Sequence, residues 1–316
     1  MAQYTPQELA DKLKDGLLSF PATAFDAELN IDEKKYREHL AWQASYDVAG
    51  LFAAGGTGEG FSLTPEESAS VVRMAVEEAG HKVPVLASAG GTTAQAVANA
   101  KAAEAAGAEG ILLLPPYLTE CDQAGLAAYA DAVASATKLG VIVYNRANAR
   151  YNADTVAGLA DRHENFIGFK DGVGDIEHNV KVYAKNGDRL FYLGGLPTAE
   201  TFALPLLQLG MSTYSSAMFN FVPEFALDFY RDVRNLDRDA VNEKLNRFVL
   251  PYIDIRDRVK GYGVSIVKGG LKAVGRDAGG VRPPLQDLTE RDLADLTALI
   301  DSAAVRPAAA AATQGA

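Results

Sequence analysis

The feature that most constrains this chain is a row of eight short apolar runs alternating with amphipathic stretches. The runs at 16–20, 48–53, 83–88, 110–114, 141–144, 167–170, 190–193 and 211–215 read as continuous rather than alternating in polarity. That is the pattern of parallel strands covered on both faces. The stretches between them carry helix punctuation. Thr64-Pro65-Glu66-Glu67 supplies an N-cap, a proline at the first helical position and acids in the first turn. The pattern that begins at Thr92 ends on Gly107, a helix C-cap. Residues 153–159 and 175–185 continue the series. Eight strand–helix units in sequence predict an α/β fold, a (β/α)8 TIM barrel. The alternative is a doubly wound open sheet with a helical second domain. The uninterrupted count and the lack of G-x-G-x-x-G after the first run favour the barrel. From Val222 onward the pattern is helical at 225–233, 240–250 and 288–300, more than one closing helix requires. The chain therefore divides into a barrel core at 1–222, a closing helix with a C-terminal helical extension at 223–302, and a low-complexity tail at 303–316 that reads as disordered.

Composition removes several classes of function. Thirty basic against 41 acidic residues give a net charge of -11, which argues against a nucleic-acid binder, since that needs a basic face. A local pocket can still be basic. Cys121 is the single cysteine, so an intramolecular disulfide and a Cys-rich zinc site are excluded, and a reducing, cytoplasmic setting fits. No apolar run approaches the ~20 residues of a spanning helix, and the acidic amino terminus has no apolar signal core, so no membrane partner is expected. His39, His81, His163 and His178 fall on helical patterns or near helix ends at no metal-site spacing, and read as surface residues. No metal and no organic cofactor is expected, and neither a phosphate loop nor a G-x-S-x-G elbow occurs.

In such barrels the working face lies at the carboxyl ends of the strands. Five segments fall there: the turn from Ala54 to Gly60, then Tyr144-Asn145-Arg146, Lys170-Asp171-Gly172, Gly194-Gly195 and Ser215-Ser216. Lys170 ends an apolar strand. Desolvation there would lower its pKa, as a Schiff-base nucleophile requires; the alternative is a rim lysine paired with Asp171 or Glu59. The glycine-rich turn could hold an anion on its backbone N–H groups with the Thr57 hydroxyl, or could simply be a tight turn. Tyr144 ends the neighbouring strand, about 4.8 Å away, where a phenol could shuttle a proton or merely cap the core.

Taken in order and at strand ends, Gly55-Gly56-Thr57-Gly58-Glu59, Pro115-Pro116-Tyr117, Tyr144-Asn145 and Gly168-Phe169-Lys170-Asp171 resemble the dihydrodipicolinate synthase / N-acetylneuraminate lyase superfamily. The resemblance runs from Gly16 to about Leu299. It implies a class I enzyme with Lys170 and Tyr144 as catalytic groups. It sets Gly56, Thr57, Asn145, Arg146, Gly195 and Ser215 against a small sugar-acid substrate, and it implies a homo-oligomer, dimer or tetramer. Segments such as Gly194-Gly195-Leu196-Pro197-Thr198-Ala199-Glu200 and Val281-Arg282-Pro283-Pro284-Leu285 look like the branch that converts 5-dehydro-4-deoxy-D-glucarate to 2,5-dioxopentanoate, water and carbon dioxide. Two departures count against synthase activity: Gly56 stands where synthases and lyases carry Ser or Thr, and Leu118 where synthases carry a second tyrosine. Arg146 and Arg150 remain alternatives for the substrate's distal carboxylate. A pyruvate-releasing aldolase and a non-catalytic barrel that binds a keto acid are the competing readings.

Overall fold

The computed structural model describes residues 2–117 and 119–308; Leu118 and most of the expected tail, 309–316, lie outside them. Eight parallel strands close into a barrel in sequence order. They are β1 (Leu18–Ser19), β2 (Gly50–Ala53), β3 (Val85–Ala89), β4 (Gly110–Leu113), β5 (Gly140–Asn145), β6 (Phe166–Asp171), β7 (Phe191–Gly194) and β8 (Thr213–Ser216). Each falls on one of the eight apolar runs. The helices α2 (Glu33–Gln43), α3 (Pro65–Ala79), α4 (Thr93–Ala105), α5 (Gln123–Ala134), α6 (Ala153–Arg162), α7 (Ile176–Asn186), α8 (Glu200–Leu207) and α9 (Pro223–Arg234) follow the strands and form the outer layer. The expected start signal is real: Thr64 caps α3 with a reciprocal bond to Glu67.

The same signal at Thr5-Pro6-Gln7-Glu8 starts a further helix, α1 (Pro6–Leu13), which the apolar periodicity alone did not reveal. Leu9 and Leu13 of α1 join Leu18, Phe52, Leu86, Leu112, Ile142 and Ile167 in the barrel interior, so α1 plugs the amino-terminal mouth. Pleating sends alternate side chains inward and outward. Phe169 and Val143 therefore pack against the helices, while Tyr144 belongs to the interior cluster.

The helical extension consists of α10 (Arg238–Lys244), a π-helical turn at Leu245–Val249, α11 (Leu250–Arg256), α12 (Tyr262–Ala273) and α13 (Glu290–Ser302). The helical nature of α12 was not foreseen. Its two adjacent glycines, Gly269 and Gly270, obscure the periodicity, yet a Cβ on Gly270 would fall 2.6 Å from the Phe221 ring. Two expectations need correcting. The tail does not begin at 303, because Ala303 and Val305 are buried in the core and Arg306 bonds the Ala273 carbonyl. His39 is not a surface residue. It is buried with its Nε2 3.0 Å from Asn220 Oδ1, and burial drops its pKa to about 4, leaving a neutral ring at pH 7. Among the described residues, no helix is long and apolar enough to cross a membrane.

The extension is fastened to the barrel by a buried ion pair. Lys268 Nζ of α12 lies 2.7 Å from Glu59 Oε1, and both side chains are shielded from solvent. Glu59 Oε2 also accepts the Arg282 N–H at 3.0 Å, and Lys268 donates to the Gly280 carbonyl. Burial pulls the Lys268 ammonium below its ordinary pKa, with Glu59 opposing that shift. Removing one partner of a buried pair strands the other charge, at a cost of about 3–5 kcal/mol. Lys268→Met is therefore expected to lower the unfolding free energy measured by denaturant titration by that amount; a loss below about 1 kcal/mol would show that the pair does not fasten the two parts.

Candidate active site

The carboxyl ends of the strands open into a cavity of about 460 Å³, a volume in the range of small-molecule sites. Its wall includes Lys170, Tyr144, Arg146, Gly195, Ser215 and the turn at Gly55-Gly56-Thr57. Five strand ends distant in sequence thus converge, as the barrel requires.

Lys170 and Tyr144 are register partners on β6 and β5. Lys170 is only 4 % exposed, with Nζ 3.8 Å from the centroid of the Phe20 ring and 4.6 Å from that of Tyr144. Neither carboxylate considered as its partner reaches it. Glu59 is held by Lys268. Asp171 points outward, where it accepts the N–H groups of Val173 and Gly174 at 3.0 Å and the Asn179 amide at 2.9 Å. Among the described residues, Lys170 has no ion pair. Burial pulls its amine well below the ordinary lysine pKa, and the Arg146 charge adds to that. A lowered pKa leaves more of the amine in its neutral form, which is the nucleophile.

The Tyr144 phenol donates to the Gly195 carbonyl at 2.8 Å and accepts from Arg146 Nη1 at 3.1 Å. Burial raises its pKa, with Arg146 opposing, so the phenol keeps its proton at neutral pH. It therefore stands as a hydrogen-bonded acid beside the amine.

The turn after β2 is shaped by close backbone packing. A Cβ on Gly60 would sit 2.0 Å from the Ala54 carbonyl oxygen, while Ala54 and Glu59 hold left-handed φ values of 53° and 56° at the turn's ends. Gly56 differs, because a Cβ there meets nothing within 4 Å. A hydroxyl-bearing side chain would fit, so backbone geometry does not impose glycine. Among the described residues, no protein acceptor takes the Gly56 or Thr57 N–H, which leaves both for an anion.

Gly195 has another use than was expected. Its N–H is taken by the Asp171 carbonyl and its C=O by Tyr144, while a Cβ would fall 2.2 Å from Lys170 Cε. It makes room for the lysine stem. Asn145 is a correction. One pleat beyond Tyr144, it faces away from the cavity, where it accepts the Tyr151 N–H at 3.1 Å and reaches toward Asp171. It supports the wall and does not line it. Of the two arginine alternatives, Arg146 lines the cavity; Arg150 is exposed, with Nε on the Ala147 carbonyl. Leu118 lies outside the described residues.

Strand ends could not reveal the groups that the extension contributes. Arg256 and Tyr252 of α11 and Val264 of α12 also line the cavity. Arg256 donates to Thr198 Oγ1 and turns its fork to Asp257, with Nε 2.7 Å from Oδ1. Their local sequence is that of an ordinary amphipathic helix, so only the packing of the extension places them.

Residues 13–303 match the model of the dihydrodipicolinate synthetase family. The chain belongs to this family. A relative from Arthrobacter sp. (strain FB24) is 78 % identical over 95 % of this chain and 99 % of its own, and one from Corynebacterium glutamicum (strain ATCC 13032) is 69 % identical over 95 % of each. Both carry the name probable 5-dehydro-4-deoxyglucarate dehydratase. Among solved structures, dihydrodipicolinate synthase from Bacillus clausii superposes with a TM-score of 0.86 at 26 % identity, covering 93 % of this chain and 99 % of that one. The YagE prophage protein of E. coli K12, solved in complex with pyruvate, gives 0.83 at 25 % identity, covering 92 % and 98 %. The family fold accounts for the closed barrel, and the relatives match the extension as well as the strands.

The charge of Arg146 makes one property of the site measurable. Arg146 lowers the Lys170 pKa, so Arg146→Gln should raise it. The acid limb of borohydride-trappable imine formation should then move to higher pH. A limb that stays in place or moves down would mean that Arg146 does not act on the amine.

Proposed function

We propose that this chain is a Schiff-base-forming, decarboxylating dehydratase that converts 5-dehydro-4-deoxy-D-glucarate to 2,5-dioxopentanoate, water and carbon dioxide. The observation that carries the chemistry is the Lys170 amine, buried beside Tyr144 with no ion-pair partner among the described residues. The choice of substrate is supported by the relatives at 58–78 % identity that carry the dehydratase name.

The free N–H groups of Gly56 and Thr57, with the Thr57 hydroxyl, hold the carboxylate beside the ketone and turn the carbonyl carbon to Lys170. Lys170 adds to that carbon, and the Tyr144 phenol protonates the departing hydroxyl as the imine forms. The protonated imine draws electrons, so the neighbouring C–H becomes acidic. Loss of that proton gives an enamine, which expels the next hydroxyl as water. The resulting conjugated iminium accepts the electrons of the breaking C–C bond as carbon dioxide leaves. One electron sink serves both eliminations.

A tightly paired distal carboxylate would resist decarboxylation, because the ion pair stabilises the ground state more than the transition state. Arg256 fits this requirement: its fork is already turned to Asp257. Ser215, half-buried on the wall, supplies a neutral hydroxyl instead.

A homo-oligomer in a reducing, cytoplasmic setting completes the reading. It is supported by the exposed Ile176 and Val180, one turn apart on α7, and by the single free cysteine, Cys121. Sedimentation should give a mass that is a multiple of 33.5 kDa; a monomer at micromolar concentration would contradict it.

Intact-mass spectrometry after borohydride reduction with 5-dehydro-4-deoxyglucarate should give one adduct, mapping to Lys170, with carbon dioxide released in parallel. An adduct with pyruvate in place of carbon dioxide would make the protein an aldolase. Neither adduct nor turnover would leave a keto-acid-binding barrel. Lys170→Arg should be nearly as inactive as Lys170→Ala, since a guanidinium with a pKa above ~12 supplies no free amine. Appreciable turnover by Lys170→Arg would remove the Schiff base.

A further inference from the structure

Tyr252 and Arg256 are four residues apart on α11, so they share the helix face that meets the cavity. Among the described residues that line the cavity there is no carboxylate, and the cations are Lys170, Arg146 and Arg256. The two guanidiniums come from opposite sides of β6, the strand that carries Lys170. Arg146 follows β5, whereas Arg256 reaches the turn after β7, where its Nη1 donates to Thr198 Oγ1. Arg146 bonds the Tyr144 phenol and acts on the Lys170 amine. Arg256 acts instead on Glu200, a buried carboxyl behind the wall. One guanidinium thus belongs to the reacting ketone, and the other to the far end of what the cavity holds.

Arg256 is held in a specific way. Thr198 is buried with a φ of 52°, a left-handed conformation that a β-branched residue rarely takes. Strain of this kind persists only where the surroundings impose it, and it gathers at ligand sites. Here it presents the Thr198 hydroxyl, on the cavity wall, to the guanidinium. Asp257 accepts from Nε at 2.7 Å and from Nη2 at 3.1 Å, and Arg256 in turn holds the Asp257 carboxyl below the usual carboxylate range. Of the five guanidinium N–H groups, Asp257 takes two and Thr198 one. The others, one on each terminal nitrogen, have no acceptor among the described residues. The Arg256 side chain is only 15 % exposed, and unclaimed donors on a mostly buried cation suit an anion.

We propose that Arg256 recognises a second carboxylate at the far end of the substrate, and that Asp257 tempers its charge so that this carboxylate can still leave. The proposal rests on the Schiff-base reading and deepens it by naming the residue that selects a diacid over a monoacid. With the near carboxylate on the Gly56-Thr57 turn and the ketone on Lys170, the open N–H groups of Arg256 receive the other end. A full cation there would hold the carboxylate in its ground state, because the negative charge passes into the breaking C–C bond as carbon dioxide forms. Asp257 takes up part of the guanidinium charge beforehand. Thr198 fixes the guanidinium at the wall.

The probes are 2-oxoadipate and 2-oxohexanoate. They differ only at the far end, where a methyl group replaces the carboxylate, and with no hydroxyl to lose each stops at the imine. Borohydride trapping on Lys170, read by intact mass over a range of concentrations, gives the half-saturating concentration of each. In the wild-type enzyme that of 2-oxoadipate should be lower by about tenfold or more, the weight of one hydrogen bond between charged groups. Arg256→Gln should lose this preference, whereas a guanidinium that only ties α11 to the turn would alter the trapping of both acids alike. Asp257→Asn, a change at an exposed side chain, should sharpen the preference and slow carbon dioxide release from 5-dehydro-4-deoxyglucarate. It decides the matter if Arg256→Gln does not fold. A wild-type preference below about threefold would overturn the proposal, since a charge-assisted hydrogen bond contributes more than that. So would an Arg256→Gln enzyme that keeps the preference, or an Asp257→Asn enzyme in which preference and carbon dioxide release are both unchanged. A wild-type enzyme that forms no adduct with any keto acid would instead overturn the Schiff-base reading beneath it.

Discussion

Closure of eight parallel strands is the constraint on which the rest of the structure depends. A closed parallel barrel has no edge, so every strand is covered by helices outside and by its own neighbours inside. Pleating then assigns each residue to one side without exception. On β6 this puts Lys170 in the cavity and Asp171 among the helices. On β5 it puts Tyr144 in the interior and Asn145 outside. The chemistry of the cavity floor follows from that alternation, and a slip of one residue would exchange a lysine for a carboxylate.

Two buried lysines show how one physical cost serves two purposes. Desolvation disfavours the ammonium in both. Lys268 is compensated by Glu59 and so holds α12 against the turn after β2. Lys170 has the Phe20 and Tyr144 rings and the Arg146 charge near its amine and, among the described residues, no ion pair, and the penalty appears as a lowered pKa. Glu59 thus acts on the site indirectly: it keeps the turn in its strained left-handed geometry and leaves Lys170 without an anion.

The extension completes the cavity. The barrel supplies the amine, the phenol and the anion turn, while α11 and α12 supply the far wall through Tyr252, Arg256 and Val264. The same packing encloses Glu200, which accepts the Ser216 hydroxyl. The mouth of the barrel is therefore a product of two parts of the chain, joined through the Glu59–Lys268 pair.

The sequence by itself determined the barrel and the two groups at its centre. Continuous apolar runs mark doubly covered strands whatever surrounds them, and a lysine and a tyrosine ending such runs must sit at the same mouth. Residues whose roles depend on direction or on distant packing were less legible. Asn145 stands at a strand end, but its side chain points away from the cavity. Gly195 stands at a strand end and is set against the substrate by the resemblance, but its N–H and C=O are taken by Asp171 and Tyr144. His39 lies on a helical pattern, and only contact with Asn220, far away in sequence, makes it a core residue. Arg256 and Glu200 sit on unremarkable helical stretches. Local pattern encodes periodicity and end signals, whereas the approach of one helix to another is settled by side chains hundreds of residues apart, and so only the tertiary structure decided what faces the substrate.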